Sequence, residues 1–265
     1  MVRTNGTNLL GRFLREVRED SRVSLRIESA MVSIDGMNGS GKDWHGNKLE
    51  DTLRKEGMRV ITHRATSLVK SSERVSYHDE VVRTLREDLD KTLELYARDL
   101  TDAWERYIVP SAKEDGIIIL DRSPYSTLAV QFILRSIDPG SREAFDLAQK
   151  LFRDPMVPPG LAIFTVCAPQ IAYERALQRR RDARSEFDDV FDPYYKVAYA
   201  QMHRGAQNTL EVMRKWWLET TKDMYERLRK VVPDGVIIQT GRKTDRLHPE
   251  IYFYTNKYLS RKGSR

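Results

Sequence analysis

The sequence predicts an α/β fold in which a five-stranded parallel sheet carries helices on both faces. Five short apolar runs follow one another along the chain, separated by stretches with helical periodicity. These runs are continuously apolar rather than alternating, which is typical of strands buried on both faces. A loop of the form G-x-x-x-x-G-K directly follows the first run and precedes a helical stretch. The ligand crevice is therefore expected beyond the carboxyl ends of the strands.

The elements are predicted in the following order. Residues 1–28 are expected to form a charged, partly helical extension, because apolar side chains recur at helical spacing from Leu9 to Val17. The main domain then covers 29–265. Strands are predicted at Met31–Ile34, Val60–Thr62, Ile117–Leu120, Leu161–Val166 and Val236–Gln239. Helices are predicted at about 42–56, 79–113, 126–136, 173–180 and 194–230.

Composition excludes several classes of protein. With 265 residues and 40% hydrophobic content the chain can bury a core, so global disorder and a collagen-like fold are excluded. No apolar run approaches the ~18–20 residues of a membrane-spanning helix, and residues 1–26 do not resemble a secretory signal. The single cysteine, Cys167, excludes a disulfide within the chain. We expect a cytoplasmic protein, or one in the host cytoplasm if the source is viral.

The charge balance indicates a polyanionic partner, either nucleic acid or a phosphorylated small molecule. The formal net charge is +6 and the pI is about 9.3. Basic residues concentrate in the arginine-rich stretch 179–184 and in the C-terminal segment at about 241–265. The second of these segments is a candidate contact for DNA.

The glycine-rich loop is the most specific feature of the sequence. It matches the P-loop, or Walker A, pattern between a strand and a helix, the context in which backbone N–H groups cradle phosphates. Lys42 can reach the β- and γ-phosphates of a nucleotide such as ATP. The residues predicted to hold this nucleotide are Gly36, Asn38, Gly39, Ser40, Gly41, Lys42 and Asp43.

Position 43 departs from the P-loop pattern. A serine or threonine hydroxyl usually stands there as a ligand of Mg²⁺, but here the residue is Asp43. A carboxylate is also a hard oxygen ligand for Mg²⁺. Asp43 is therefore expected to bind the ion or one of its water molecules, at the cost of a negative charge beside the triphosphate.

Charged residues also follow the other strands. Asp121 and Arg122 come directly after the third strand, where the acid is a candidate metal ligand and the arginine a candidate phosphate clamp. Asp35 ends the first strand and is a candidate general base or ligand of a metal-bound water. Arg64 follows the second strand and is a candidate acceptor-binding residue. The predicted catalytic residues are thus Lys42, Asp35, Arg122 and Asp121.

The arginine run after the fourth strand predicts a lid. In a kinase, arginines at this place can close over the phosphates and stabilise the transition state. We expect this lid at about 178–192, with Arg180 and Arg184 contacting the nucleotide.

Taken together, these motifs resemble the thymidylate kinase family of P-loop nucleotide kinases. The resemblance covers about residues 30–245 and rests on IDGMNGSGK, LYARDL, LDRSPYSTLAVQ, and the segment from PPGLAIFTV to ERALQRRR. It implies a P-loop kinase fold, ATP and Mg²⁺ as cofactors, and a phosphotransferase acting on a nucleotide. It also implies that Asp121 acts near the metal and that Arg122 holds the acceptor phosphate. Family members often form homodimers.

The acceptor pocket departs from the family pattern, so the chain is a divergent member. By resemblance Tyr96 stacks on the base, and Asp99 matches the acid of the same segment. The base-reading arginine is replaced by Leu100, with Arg98 nearby. The residues predicted to bind the acceptor are Arg64, Tyr96, Arg98, Asp99, Arg122 and Thr127. Ser123 and Val130 replace two family tyrosines.

Three functional hypotheses follow from these observations. The first is transfer of the γ-phosphoryl group of ATP to a free deoxynucleoside monophosphate that resembles dTMP. The second is phosphorylation of a modified pyrimidine within nucleic acid, as in the bacteriophage enzymes that act on 5-hydroxymethyluracil in DNA. The third is a nucleotide-binding paralogue without catalytic activity.

Overall fold

The computed structural model describes residues 8–24, 27, 29–63, 71–183, 191–205, 208–241 and 248–263. Within these residues the strands are β1 (Ala30–Gly36), β2 (Val60–His63), β3 (Ile117–Asp121), β4 (Leu161–Val166) and β5 (Gly235–Gln239). The α-helices within the same residues are α1 (Leu9–Ser24), α2 (Lys42–Lys55), α3 (Ser71–Glu87), α4 (Leu89–Ala103), α5 (Val109–Ala112), α6 (Pro124–Arg135), α7 (Arg142–Leu151), α8 (Pro169–Ala183), α9 (Phe191–Met202), α10 (Leu210–Val231) and α11 (Pro249–Gly263).

In the described part of the chain the strands form one parallel sheet in the order β2-β3-β1-β4-β5. The connection from β1 leads to β2 at one edge, whereas the connection from β3 crosses β1 to reach β4, so the direction of winding reverses at β1. This is the switch point at which ligands bind in open α/β sheets. The predicted α/β class and five-stranded parallel sheet are confirmed.

Alternate residues of each strand supply two separate hydrophobic cores. Val32 and Ile34 face a smaller cluster that includes Leu49 of α2 and Ile251 of α11. Met31 points into a larger cluster on the other face, formed mainly by helices α1, α3, α4, α6, α7 and α10. Because both faces are covered, every residue of β1 is buried. This explains why the strands are apolar without interruption.

Two helices were not predicted from the sequence. Helix α7 lies between the predicted helix at 126–136 and the fourth strand, and α11 lies in the basic C-terminal segment at about 241–265, where no helix was predicted. The long predicted helix at 79–113 is divided, because Asp88 caps α4 and its carboxylate accepts hydrogen bonds from two backbone N–H groups. A π-helical turn at Trp104–Ile108 then joins α4 to α5.

Helix α1 occupies part of the predicted extension and packs directly on the main body. Leu10 and Leu14 are each 1% exposed, and the Phe13 ring meets the Phe145 ring of α7 at 5.5 Å. Arg18 donates hydrogen bonds of 3.3 and 3.1 Å to two backbone carbonyls of the turn before β4. The helix is thus attached at the amino end of the sheet, opposite the phosphate loop.

Among the described helices, none combines the length and the apolar character needed to cross a bilayer.

The packing of α1 predicts a large stability loss when its core side chain is shortened. We expect Leu14→Ala to lower the free energy of unfolding by about 2–4 kcal/mol, because removal of the buried methyl groups leaves a cavity in the core. Urea unfolding followed by circular dichroism measures this change. The matched control on the exposed face, Glu19→Ala, should stay within about 0.5 kcal/mol of the wild type. Equal effects of the two variants would show that α1 is not part of the core.

Candidate active site

The phosphate loop leaves the middle of the sheet and is packed so closely that glycine is required. A Cβ added at Gly36 would lie 2.2 Å from the Thr165 hydroxyl, and one at Gly39 would lie 2.5 Å from the Ala172 carbonyl oxygen. Gly39 and Gly41 also adopt φ values of 82° and 80°, the left-handed region. Gly41 caps the first turn of α2. The loop therefore has the curled backbone that a phosphate cradle needs.

Hydroxyl groups fix the loop from β4 and β5. The Thr165 hydroxyl donates to the Asp35 carbonyl at 3.1 Å, so the Ser40 hydroxyl donates to Thr165 at 2.8 Å. The Thr240 hydroxyl donates to the Ser40 carbonyl at 2.6 Å. Since Ser40 is fully buried, its side chain holds the loop in place, and a nucleotide would meet the loop's backbone rather than this hydroxyl.

Four charged side chains interact around the first turn of α2. The Lys42 ammonium lies 2.8 Å from a carboxylate oxygen of Asp43. Burial, and next the positive charge of Arg122, lower the pKa of Lys42 to about 8, while Asp43 and Asp121 act in the opposite direction. The structure thus brings Lys42 and Arg122 together with Asp43 and Asp121, the two predicted metal ligands.

Arg122 is held in a defined orientation at the end of β3. Its backbone has a φ of 68°, which is uncommon for a residue with a side chain and costs of order 1–3 kcal/mol. Its guanidinium donates to the side-chain oxygen of Asn38 at 2.9 Å, and the Asn38 amide donates to the Tyr195 hydroxyl at 2.9 Å. Asn38 therefore links the phosphate loop, the β3–α6 turn and helix α9.

Asp35 lies at the centre of a buried network beneath the loop. Its carboxylate accepts hydrogen bonds from the backbone N–H of Ser123 at 2.8 Å, from the Ser123 hydroxyl at 2.8 Å and from the Ser126 hydroxyl at 2.6 Å. The hydroxyl of Tyr225 lies 3.2 Å from that of Ser126. Because the only proton of Ser126 goes to Asp35, Tyr225 is the donor in this pair. Burial raises the pKa of Tyr225 to about 12, which keeps the proton available.

This network does not fit the expectation that Asp35 is a general base or a ligand of a metal-bound water. The side chain is 0% exposed, and both of its oxygens already accept hydrogen bonds from the start of α6. A base must instead come within hydrogen-bond reach of the substrate. Asp35 is better described as a positioning residue that joins the end of β1 to the turn carrying Arg122.

One arginine near the loop was missed by the sequence reasoning. Arg175 of α8 donates to the carbonyl of Gly39 at 3.0 Å and to that of Thr240 at 3.4 Å. Its position in the second turn of a helix that follows β4 was the available signal, since such turns lie at the ligand edge of the sheet.

The predicted lid arginines cannot be placed in the same way. The backbone of Arg180 belongs to α8, but its side chain lies outside what the structure describes, as do Arg184 and the residues 184–190 of the predicted lid. Arg64, predicted to bind the acceptor, also lies outside the described residues.

The predicted acceptor side is formed by α4 and α6, which contact each other. Tyr96 is half-buried against the larger core, and Thr127 is 5% exposed on α6. Burial, and next the nearby charge of Asp102, raise the pKa of Asp99 to about 6. Leu100 is 1% exposed and belongs to the core. The position of the family's base-reading arginine therefore carries a packed apolar side chain.

Arg98 is not brought to this site. It lines an outer groove of about 680 Å³ between α3 and α4, together with Arg83, Glu94, Asp102 and Arg153. No residue of the phosphate loop lines that groove. Residues two positions apart on a helix point in different directions, so Arg98 cannot replace the arginine that is absent at Leu100.

The available ligands fit a magnesium ion carried by a nucleotide. Among the described residues, no group of three or more histidine, cysteine or carboxylate side chains is arranged to hold a metal by itself. Mg²⁺ is usually bound through one or two carboxylates together with substrate phosphates. Asp43 and Asp121 provide two such carboxylates, and both act electrostatically on Lys42.

A phosphate loop at the centre of a parallel sheet, with a lysine and an arginine converging on it, defines a phosphoryl-transfer protein of the P-loop class. The model of the thymidylate kinase family matches residues 34–224. The chain therefore belongs to the thymidylate kinase family. It is an ATP-dependent nucleotide kinase with Mg²⁺ as its cofactor.

Individual relatives are distant from this chain. The chain is 22% identical over 210 residues to "Thymidylate kinase" of Caldicellulosiruptor saccharolyticus. The aligned region covers 78% of this chain and 98% of the relative. It is 25% identical over 202 residues to "Probable thymidylate kinase" of Archaeoglobus fulgidus, covering 76% and 94%. It is 24% identical over 159 residues to "Probable thymidylate kinase 2" of Saccharolobus solfataricus, covering 59% and 68%.

Replacing Asp35 tests its role in positioning. In Asp35→Asn an amide N–H₂ faces hydroxyl and N–H donors, so we expect a loss of about 2–3 kcal/mol in the free energy of unfolding. Urea titration measures this loss, and exposed Asp20→Asn is the control for removal of a charge. If the variant kept full stability and lost only turnover, Asp35 would be a base rather than a positioning residue.

Asp99 predicts a dependence of stability on pH. In the folded protein the carboxyl of Asp99 keeps its proton up to about pH 6, whereas in the unfolded chain it loses the proton near pH 3.8. The contribution of Asp99 to the free energy of unfolding therefore falls as pH rises between these values. We expect Asp99→Asn to stabilise the protein by about 1–2 kcal/mol at pH 7 and to have little effect at pH 4. Thermal unfolding at both pH values measures the difference, and an equal effect at both would contradict the raised pKa.

Proposed function

We propose that this chain transfers the γ-phosphoryl group of ATP to a free deoxynucleoside monophosphate resembling dTMP. The observation that carries the proposal is the contact between Arg122 and Asn38, 2.9 Å long, at the tip of the phosphate loop. Arg122 also acts electrostatically on Lys42, which supports a site in which one cation binds the donor phosphates and the other binds the acceptor phosphate.

The residues divide between the two substrates. The backbone N–H groups of the loop and the ammonium of Lys42 bind the donor phosphates, and the guanidinium of Arg122 binds the acceptor phosphate. Asp43 and Asp121 would hold a magnesium ion, which would supply positive charge to offset that of the phosphates. Catalysis is then mainly a matter of positioning and charge stabilisation, as expected for phosphoryl transfer.

The acceptor side supports a nucleotide with a planar base. Tyr96 offers a half-buried aromatic ring on α4, and α6 offers the buried hydroxyl of Thr127. The names of the relatives above describe thymidylate kinases, which supports thymidylate as the first acceptor to test. Because Leu100 cannot hydrogen-bond a base, discrimination between bases should be weaker than in a site with an arginine at this position.

A second candidate function is phosphorylation of a pyrimidine within nucleic acid. The observation that favours it is the exposed face of α11, where Phe253 is 57% exposed and the Lys257 ammonium lies 5.8 Å from its ring centroid. Arg261 follows one turn later and is exposed. Several other aromatic side chains in the C-terminal half of the chain are in packing contacts, and Trp217 is only 5% exposed.

Labelled ATP with Mg²⁺ distinguishes these functions when it is offered with each free deoxynucleoside and ribonucleoside monophosphate, with normal DNA, and with DNA containing 5-hydroxymethyluracil. We expect label on dTMP and, more weakly, on the other pyrimidine deoxynucleotides. Lys42→Ala should lose at least about 10²-fold in kcat while remaining folded, because a charge that stabilises the transition state is removed. Arg122→Lys should raise KM for the acceptor.

Two other results would contradict the proposal. Label confined to hydroxymethylated DNA, with binding that weakens steeply as salt rises, would establish the polymer as the acceptor. Bound ATP with no label on any acceptor would favour a nucleotide-binding paralogue without catalytic activity.

A further inference from the structure

The phosphate loop supplies its own counter-ion to its lysine. Lys42 and Asp43 are the first two residues of α2, and their charged groups lie 2.8 Å apart. The Lys42 side chain is 5% exposed whereas that of Asp43 is 45% exposed. The carboxylate therefore lies at the rim of the loop, where an incoming phosphate and solvent can both reach it.

The charges at the loop are balanced before a nucleotide binds. Lys42 and Arg122 contribute two positive charges, and Asp43 and Asp121 contribute two negative charges that act on Lys42. With a hydroxyl at position 43 the same group would carry a net positive charge. A polyphosphate without a metal ion thus meets a lysine that is already paired and a carboxylate that repels it.

We propose that Asp43 makes nucleotide binding at this loop conditional on a divalent cation, so that the metal–nucleotide complex binds and the metal-free polyphosphate is largely rejected. The inference rests on the proposed function of the loop as the ATP site and of Asp43 as a metal ligand. A hydroxyl at position 43 would offer the ion a neutral oxygen ligand and would not repel a metal-free polyphosphate. The carboxylate offers a stronger hard ligand, and it also penalises binding when the ion is absent.

A bound cation would change the partners of both residues. Asp43 would hold the ion, and Lys42, now without its counter-ion, would be available to contact the phosphates. Binding of metal and of nucleotide are thereby coupled, and the coupling is the same whichever of the two is varied. A substitution of Asp43 leaves Lys42, Arg122 and Asp121 in place, so any change in this coupling can be assigned to position 43.

The test is to measure dissociation constants by calorimetry for a non-hydrolysable ATP analogue, in EDTA and in Mg²⁺. Asp43→Thr restores a hydroxyl, and Asp43→Asn removes the charge with little change in shape. Asp51→Asn removes the same charge from an exposed position on the same helix and is the matched control. Thermal unfolding verifies that each variant is folded.

We expect the metal-free analogue to bind at least about tenfold tighter to both Asp43 variants than to the wild type, a change of about 1.4 kcal/mol. The ratio of the metal-free to the metal-bound dissociation constant should fall by at least this factor, because the variants also lose a metal ligand, whereas Asp51→Asn should keep the wild-type ratio. An unchanged ratio in both Asp43 variants would overturn the inference while leaving the loop as the ATP site. Failure of the wild type to bind the analogue even with Mg²⁺ would overturn the ATP site, and the inference with it.

Discussion

The hydrogen bonds of the buried Asp35 carboxylate are the interaction on which the rest of the site depends. They join the end of β1, which the phosphate loop follows, to N–H and hydroxyl groups at the start of α6. Arg122 lies between these two elements in a left-handed conformation, which persists only because its surroundings determine it. This carboxylate, together with the hydrogen bond from Arg122 to Asn38, thus fixes the phosphate loop relative to Arg122.

The charged groups above this junction are arranged for a reaction that moves negative charge. Lys42 is buried and Arg122 is oriented by Asn38, so both cations are positioned before substrate binds. Such preorganised charges stabilise a transition state without further rearrangement. Asp43 lies at the rim with the opposite charge, at a position where the usual P-loop pattern has a hydroxyl.

The sequence predicted the sheet, the loop and most of its neighbours, because these depend on local signals: apolar runs, glycine spacing and residues that follow strands. It did not reveal the role of Asp35, since burial and the two serine hydroxyls become visible only when β1 and α6 are brought together. Arg175 is a single arginine ahead of the denser run at 179–184, and only its place after β4 distinguishes it in the sequence. Arg98 was assigned by proximity along the chain, but the direction of its side chain on α4 decides otherwise.

The most direct test of this account is a double-mutant cycle on nucleotide affinity with Asp35→Asn, Ser126→Ala and the combined variant. The dissociation constant of a non-hydrolysable ATP analogue with Mg²⁺ is measured for each folded protein. We expect each single change to weaken binding and the combined change to weaken it by clearly less than the sum, with a coupling of about 1 kcal/mol or more. Unaltered affinity in all three, despite lower stability, would show that the junction supports the fold without positioning the phosphate loop.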